Sequence, residues 1–250
     1  MNIIYVRNYE ELSDMASSFL LEHLQAKPSM NMGLATGGTP KGTYSKLIHK
    51  AKEAQFSFAQ VKTFNLDEYV GLSHDNKNSY HEYMRSQLFH AIDIKHEHTF
   101  IPNGLALSLR EEADQYEKRI AAEGGIDVQL LGIGSNGHIG FNEPGTDFQE
   151  TTHIIELADE TRAANARYFN SKDDVPKQAI TMGLATIMAA KTILLLISGE
   201  DKKRAFSTLL EGDRDPDFPA SILTDHPNVT VIVDADAAGD YSQHIEANGA

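Results

Sequence analysis

The stretch Gln129 to Gly145, QLLGIGSNGHIGFNEPG, constrains this chain more than any other. It opens as the end of an apolar run (Ile126, Val128, Leu130, Leu131, Ile133), the pattern of a buried strand. It then breaks into Gly132, Gly134, Gly137 and Gly140, interleaved with Ser135, Asn136, His138, Asn142 and Glu143, and ends on Pro144-Gly145. A helix is excluded there, since each Gly costs roughly 1 kcal/mol against Ala in a helix interior. An apolar strand running into a glycine-rich loop that carries a His and a Glu is the place where an open α/β sheet builds a site. Gly132, Gly134 and Gly137 also fit the dinucleotide fingerprint G-x-G-x-x-G. That fingerprint needs a helix to open at its third glycine. Gly140, Pro144 and Gly145 follow too closely for one, so a nicotinamide cofactor is not expected.

The rest of the chain supplies the other elements of such a sheet. Ile3 to Val6, Met30 to Ala35, Val61 to Leu66, Thr192 to Ile197 and Val229 to Val233 read as strands. Helical spacing runs through Glu10 to Gln25, Lys41 to Gln55, Ser79 to Phe89, Leu109 to Glu123, Asp159 to Phe169, Ala179 to Ala189 and Lys202 to Leu210. Strands alternating with amphipathic helices, without repeats or long linkers, predict one α/β domain over residues 1–250. Its core is a Rossmann-like, mainly parallel open sheet with helices on both faces. The loop-like stretch Asn170 to Pro176 marks about 157–180 as a candidate lid.

Composition narrows the partners. The formal charge is −14, from 36 acidic and 22 basic residues, with no Lys/Arg cluster. Nucleic acid is therefore not an expected partner. No run approaches 18 apolar residues, and the N-terminus lacks the pattern of a signal peptide, so the expected location is the cytoplasm, away from membranes. The absence of cysteine excludes a thiolate metal site and a Cys nucleophile. A phosphorylated substrate would need a locally built anion site.

Such a site is available at Thr36-Gly37-Gly38-Thr39-Pro40, between a strand and a helix, with Thr39 at the cap and Pro40 at the first helical position. Unpaired N–H groups and the positive end of the helix dipole favour an anion there. Thr36 and Thr39 can add hydroxyl donors, but the Lys-Ser/Thr pair of a Walker A loop is missing. The carboxylates Asp67 and Glu68 directly follow a strand, where either could serve as a desolvated general base. His138 and Glu143, five residues apart, could share a proton-transfer role, whereas a metal would need a third ligand from elsewhere. Arg162, Arg167, Lys202 and Lys203 are candidate counter-charges for an anion. His81, His90, His96, His98 and His226 read as surface residues.

Five segments, in order, carry a resemblance: TGGTPKGTY (Thr36 to Tyr44), TFNLDEYVGL (Thr63 to Leu72), GIGSNGHIGFNEPG (Gly132 to Gly145), TRAANARYF (Thr161 to Phe169) and SGEDKKRA (Ser198 to Ala205). Together they resemble the glucosamine-6-phosphate deaminase family (glucosamine/galactosamine-6-phosphate isomerases). The resemblance implies conversion of glucosamine 6-phosphate to fructose 6-phosphate and ammonia in amino-sugar catabolism, in the hydrolase class, without cofactor or metal. It implies ring opening by His138, assisted by Glu143 and residue 136, and proton transfer from C2 to C1 by Asp67. The phosphate falls to Thr36, Gly37, Gly38, Thr39, Arg167 and Lys202. Many members have Asp at the position of Asn136; an amide holds His138 but does not exchange a proton, which leaves His138 and Glu143 as the expected working pair. The family includes hexamers and monomers, so monomer and homo-oligomer both stay open. Its hexameric members bind an activator phosphate through an Arg and a Lys just after the FNEP loop. His153 and Ile155 hold those positions here, and no such activation is expected. The same fold in 6-phosphogluconolactonases, or in sugar-phosphate sensors attached to a DNA-binding helix-turn-helix, gives the alternative functions.

Overall fold

A computed structural model describes residues 1–243; the end of the expected 1–250 domain, residues 244–250, lies outside the described residues. Seven strands form one parallel sheet: β1 (Asn2–Val6), β2 (Asn31–Leu34), β3 (Lys62–Asn65), β5 (Thr99–Phe100), β6 (Val128–Gly132), β9 (Thr192–Ile197) and β10 (Val229–Asp234). Their spatial order is β1-β10-β9-β6-β2-β3-β5, with every pairing parallel. A smaller antiparallel sheet joins β4 (Asp67–Tyr69), β8 (Gln178–Thr181) and β7 (His153–Glu156) in the order β4-β8-β7.

Both faces of the parallel sheet are covered, as continuous apolar strands require. Every residue of β9 and β10 is buried. Alternation divides them between two layers. Leu130, Leu194 and Leu196 pack with Leu12 and Leu20 of α1 (Tyr9–Ala26), Leu47 of α2 (Pro40–Glu53) and Met84 of α3 (Tyr80–Gln87). Leu131, Ile193, Leu195 and Ile197 face the other way. They pack with Tyr116 and Ile120 of α4 (Leu109–Ala122), Leu184 and Ile187 of α6 (Leu184–Met188), and Phe206 and Leu209 of α7 (Lys203–Glu211). Local chemistry sets the helix starts: Asn8 and Ser108 accept the Glu11 and Glu111 amide N–H groups at the starts of α1 and α4, each cap contributing about 1 kcal/mol. The short helices α5 (Asp159–Asn165) and α8 (Ala235–Ala238) complete the set.

Strand order fixes the place of the site. The chain runs outward through β2, β3 and β5, returns to β6 on the other side of β2, and then runs outward through β9 and β10. Between β2 and β6 the direction reverses, which in an open α/β sheet opens a crevice at the carboxyl ends of the strands. The Thr36 to Pro40 turn and the Ile133 to Gly145 loop flank that point, with Asp67 after β3 and Ser198 to Lys202 after β9 to either side.

Two expectations are corrected. Ala179 to Ala189 is not one helix: Gln178–Thr181 is strand β8, and only Leu184–Met188 is helical. Pairing with Asp67 to Tyr69 on one side and His153 to Glu156 on the other outweighs the local helical preference. His226 is buried, not on the surface: Nε2–H donates to the Ala190 carbonyl at 2.8 Å and Nδ1 accepts from the Asn228 N–H. His81 and His98 are half-buried, and His90 and His96 are exposed.

Candidate active site

One cavity of about 370 Å³ opens at the reversal point. Thr36, Gly37, Gly38, Thr39, Asp67, Asn136, His138, Arg167 and Lys202 all line it. Glu143 stands just behind, buried and joined to it by hydrogen bonds.

The Thr36 to Pro40 turn lines the cavity, and three of its carbonyls are engaged by tyrosine hydroxyls. The Tyr9 hydroxyl donates to the Gly38 and Thr39 carbonyls and accepts from the Gly42 N–H. The Tyr83 hydroxyl donates to the Gly37 carbonyl at 2.7 Å. Thr39 holds the expected cap position before Pro40, but its side chain makes no capping bond, so its hydroxyl can serve a ligand. Of the candidate cations, Arg167 and Lys202 line the cavity while the other two are used structurally. Arg162 donates to the Lys172 and Val175 carbonyls, and Lys203 pairs with Glu200.

The small sheet separates the roles of Asp67 and Glu68. Successive side chains on a strand point to opposite faces, so Asp67 faces the cavity and Glu68 turns away. Glu68 accepts the N–H groups of Tyr69, Tyr80 and His81, together with His81 Nδ1. It therefore anchors the start of α3. Asp67 is 6% exposed, and its pKa is pushed up to about 8, first by burial and then by the charge of Glu68.

Beyond β6 the loop folds back on itself. Gly134 donates its N–H to the His138 carbonyl, and a Cβ at Gly134 would lie 2.3 Å from the His138 ring. Gly137 takes φ +86° and backs onto Phe218. These close approaches account for the glycines at 134 and 137. The loop gathers a chain of three side chains. His138 Nδ1 donates to Asn136 Oδ1 at 2.7 Å, and Asn136 Nδ2 donates to Glu143 Oε2 at 3.0 Å. His138 Nδ1 and Glu143 Oε2 are 3.7 Å apart, beyond hydrogen-bond reach, and Asn136 bridges the two members of the expected working pair. Burial pulls the His138 pKa down, Glu143 pulls it up, and Lys202 adds to the lowering. The net direction is downward, which favours a neutral ring with its proton on Nδ1 and a free lone pair on Nε2.

The other carboxylate oxygen of Glu143 accepts from Thr161 Oγ1, across from α5. Sequence reading missed this contact, and no local spacing encodes it, because the two residues are 18 apart. Tyr80, Asn165 and Ser198 also line the cavity without having been singled out. Among the described residues, no group of three or more His, Asp or Glu is gathered for a metal, and no helix is long and apolar enough to cross a membrane.

Residues 8–232 match the family of glucosamine-6-phosphate isomerases/6-phosphogluconolactonase. The chain belongs to this family. A glucosamine-6-phosphate deaminase of Shouchella clausii (strain KSM-K16) is 62% identical over 243 residues, covering 97% of this chain and 98% of that one. Glucosamine-6-phosphate deaminase 1 of Bacillus subtilis (strain 168) is 52% identical over 238 residues, 95% and 98% of the two chains. A solved structure described as a monomeric glucosamine-6-phosphate deaminase superposes with a TM-score of 0.94 at 52% identity, covering 95% of this chain and 99% of that one. The 6-phosphogluconolactonase of Trypanosoma brucei, 22% identical with a TM-score of 0.79 over 96% of this chain and 98% of its own, shares the fold of the isomerase family.

Proposed function

We propose that this chain is a glucosamine-6-phosphate deaminase, converting glucosamine 6-phosphate and water to fructose 6-phosphate and ammonia. The observation that carries the reading is one cavity lined by two titratable side chains suited to proton transfer, Asp67 and His138, together with the Thr36 to Thr39 turn. Isomerisation of a cyclic amino sugar needs two such groups, one for the ring and one for carbon. The phosphate sits on the Thr36, Gly37, Gly38 and Thr39 turn, with Arg167 and Lys202 supplying positive charge in an acidic protein. His138 Nε2 takes the proton of the C1 hydroxyl and returns it to the ring oxygen as the C1–O5 bond breaks. Asn136 and Glu143 hold the imidazole. Asp67 removes the proton from C2 and delivers it to C1. The proton lost by the C2 ammonium balances the one gained by O1, leaving a C2 iminium. Water adds at C2 and the C–N bond breaks, so the overall reaction is formally hydrolytic.

The segment around 157–180 contributes Glu160, Thr161, Ala164, Asn165 and Arg167 to the cavity wall and serves as its lid. The cysteine-free sequence suits a cytoplasmic enzyme. The solved relative described as monomeric supports a monomer here, which size-exclusion chromatography with light scattering tests. The function itself is tested by a coupled assay for ammonia released from glucosamine 6-phosphate. Absence of ammonia together with hydrolysis of 6-phosphogluconolactone would instead make this a lactonase on the same fold.

A further inference from the structure

Between the strands β7 and β8 the chain makes an excursion, residues 158–176, whose neck is fixed. Glu156 pairs with Gln178 in the ladder, and the Leu157 N–H donates to the Lys177 carbonyl at 2.8 Å. Arg162 ties the outgoing limb to the returning one through the Lys172 and Val175 carbonyls, and Phe169 packs edge-on against Tyr69 below. The excursion is thus one braced unit, rooted at its neck. It carries two groups that face the cavity from the same short helical stretch, Arg167 and, six residues before it, Thr161. Thr161 is 5% exposed and Glu143 is 6% exposed. Thr161 donates to Glu143 Oε1, while Asn136 donates to Glu143 Oε2.

We infer that Thr161 is a positioning residue that couples seating of the 158–176 excursion to the orientation of His138, through Glu143 and Asn136. A buried carboxylate is costly unless its oxygens are hydrogen-bonded. Glu143 receives its two side-chain donors from different parts of the fold, one on the glycine loop and one on the excursion. With the excursion seated, both oxygens are satisfied, and Oε2 is fixed for the Asn136 amide, which in turn holds the Nδ1–H of His138. With the excursion displaced, Oε1 loses its donor and the carboxylate is free to rotate toward another. The amide and the imidazole then lose their fixed orientation. A phosphate engaged by Arg167 draws in the same unit that carries Thr161, so occupancy of the anion site and alignment of the ring-opening histidine become one event.

This inference rests on the deaminase reading for its kinetic arm but not for its spectroscopic arm. The test compares Thr161→Val with Thr161→Ser. In the first arm, nitrogen-15 histidine NMR of the unliganded protein follows the His138 tautomer. The native protein and Thr161→Ser hold the Nδ1–H form, whereas Thr161→Val gives a mixture. In the second arm, kcat for cyclic glucosamine 6-phosphate falls roughly 10- to 100-fold in Thr161→Val, the range for losing a hydrogen bond to a charged group. KM stays within about threefold, as for an interaction that serves the reaction more than binding. Thr161→Ser restores both readouts. The inference is overturned if His138 keeps its tautomer in Thr161→Val, or if Thr161→Ser is as impaired as Thr161→Val, which would make the methyl packing the cause. A native protein that releases no ammonia would refute the deaminase reading alone and leave the NMR comparison decisive for Thr161.

Discussion

Replacing Asp67 by Asn separates the chemistry of this site from its stability, and the two effects run in opposite directions. The carboxyl has a pKa of about 8 in the folded protein against an ordinary value of 3.8, mainly through burial and secondarily through Glu68. At ~1.4 kcal/mol per pH unit, keeping Asp67 ionised inside the fold costs on the order of 5 kcal/mol. The sign follows from proton counting: between pH 4 and pH 8 the unfolded chain has lost this proton while the folded one retains it. The contribution of Asp67 to stability is therefore fully present below about pH 4, is lost as pH rises to about 8, and is level above. Asn has no proton to lose. The difference in melting temperature between Asp67→Asn and the native protein starts near zero at pH 4 and grows in favour of the variant to on the order of 10 °C at pH 8 to 9. Turnover goes the other way, because an amide cannot remove a proton from carbon. Sugar-phosphate binding is retained. Scanning calorimetry across pH measures the first effect, and solvent-deuterium exchange into C1 and C2 measures the second. A melting difference independent of pH would refute the assigned pKa, and exchange that persists in the variant would refute Asp67 as the base.

Three further outcomes are expected. His138→Gln slows reaction of the cyclic substrate much more than that of an open-chain analogue, measured by comparing the two kcat values; equal losses would place His138 in the carbon proton transfer instead. Glu68→Gln lowers the pKa governing kcat/KM by removing the like charge beside Asp67, so the pH–rate profile rises at lower pH; an unchanged profile would leave burial alone responsible. N-acetylglucosamine 6-phosphate leaves the saturation curve for glucosamine 6-phosphate unaltered. His153 is committed to the Thr151 carbonyl through Nδ1, Ile155 packs into the small apolar cluster around Tyr69 and Phe141, and neither offers a fixed cation. A fall in half-saturation would show an effector site elsewhere.

How much of this could be read in the sequence depended on whether the determinant was local. The long apolar strands and the turns after them were legible, because runs such as Thr192 to Ile197 and glycine punctuation at Thr36 to Pro40 carry their own signal. The strands β7 and β8 were not, since four-residue segments such as Gln178–Thr181 become strands only by pairing with segments distant in sequence. By position alone Asp67 and Glu68 were equivalent candidates, and only the family resemblance chose Asp67. The alternation of β4 and the start of α3 assign one to the cavity and the other to three backbone N–H groups. Tyr9 and Thr161, which brace the Thr36 to Pro40 turn and complete the Glu143 chain, act across 30 and 18 residues of sequence, beyond any motif.

Asn136 raises the question of how a proton relay can contain an amide, and the geometry answers it. A carboxylate only accepts hydrogen bonds, so the side of Asn136 that meets Glu143 must be its NH2 group, and the side that meets His138 must be its carbonyl oxygen. The carbonyl in turn requires a proton on His138 Nδ1. No proton can travel along such a chain, because passing one would force the amide into a high-energy tautomer. The proposed ring opening does not require that it travel. The proton removed from the C1 hydroxyl is the one given to the ring oxygen, and both atoms belong to the substrate, so one nitrogen can take and return it. Locking Nδ1–H commits His138 to act through Nε2 alone, and the lowered pKa keeps that nitrogen unprotonated near neutral pH. Asp at position 136 would accept from His138 equally well but would place a second carboxylate against Glu143, raising the pKa of the pair. Asn136 avoids that repulsion and still transmits orientation, which is all the step demands of it.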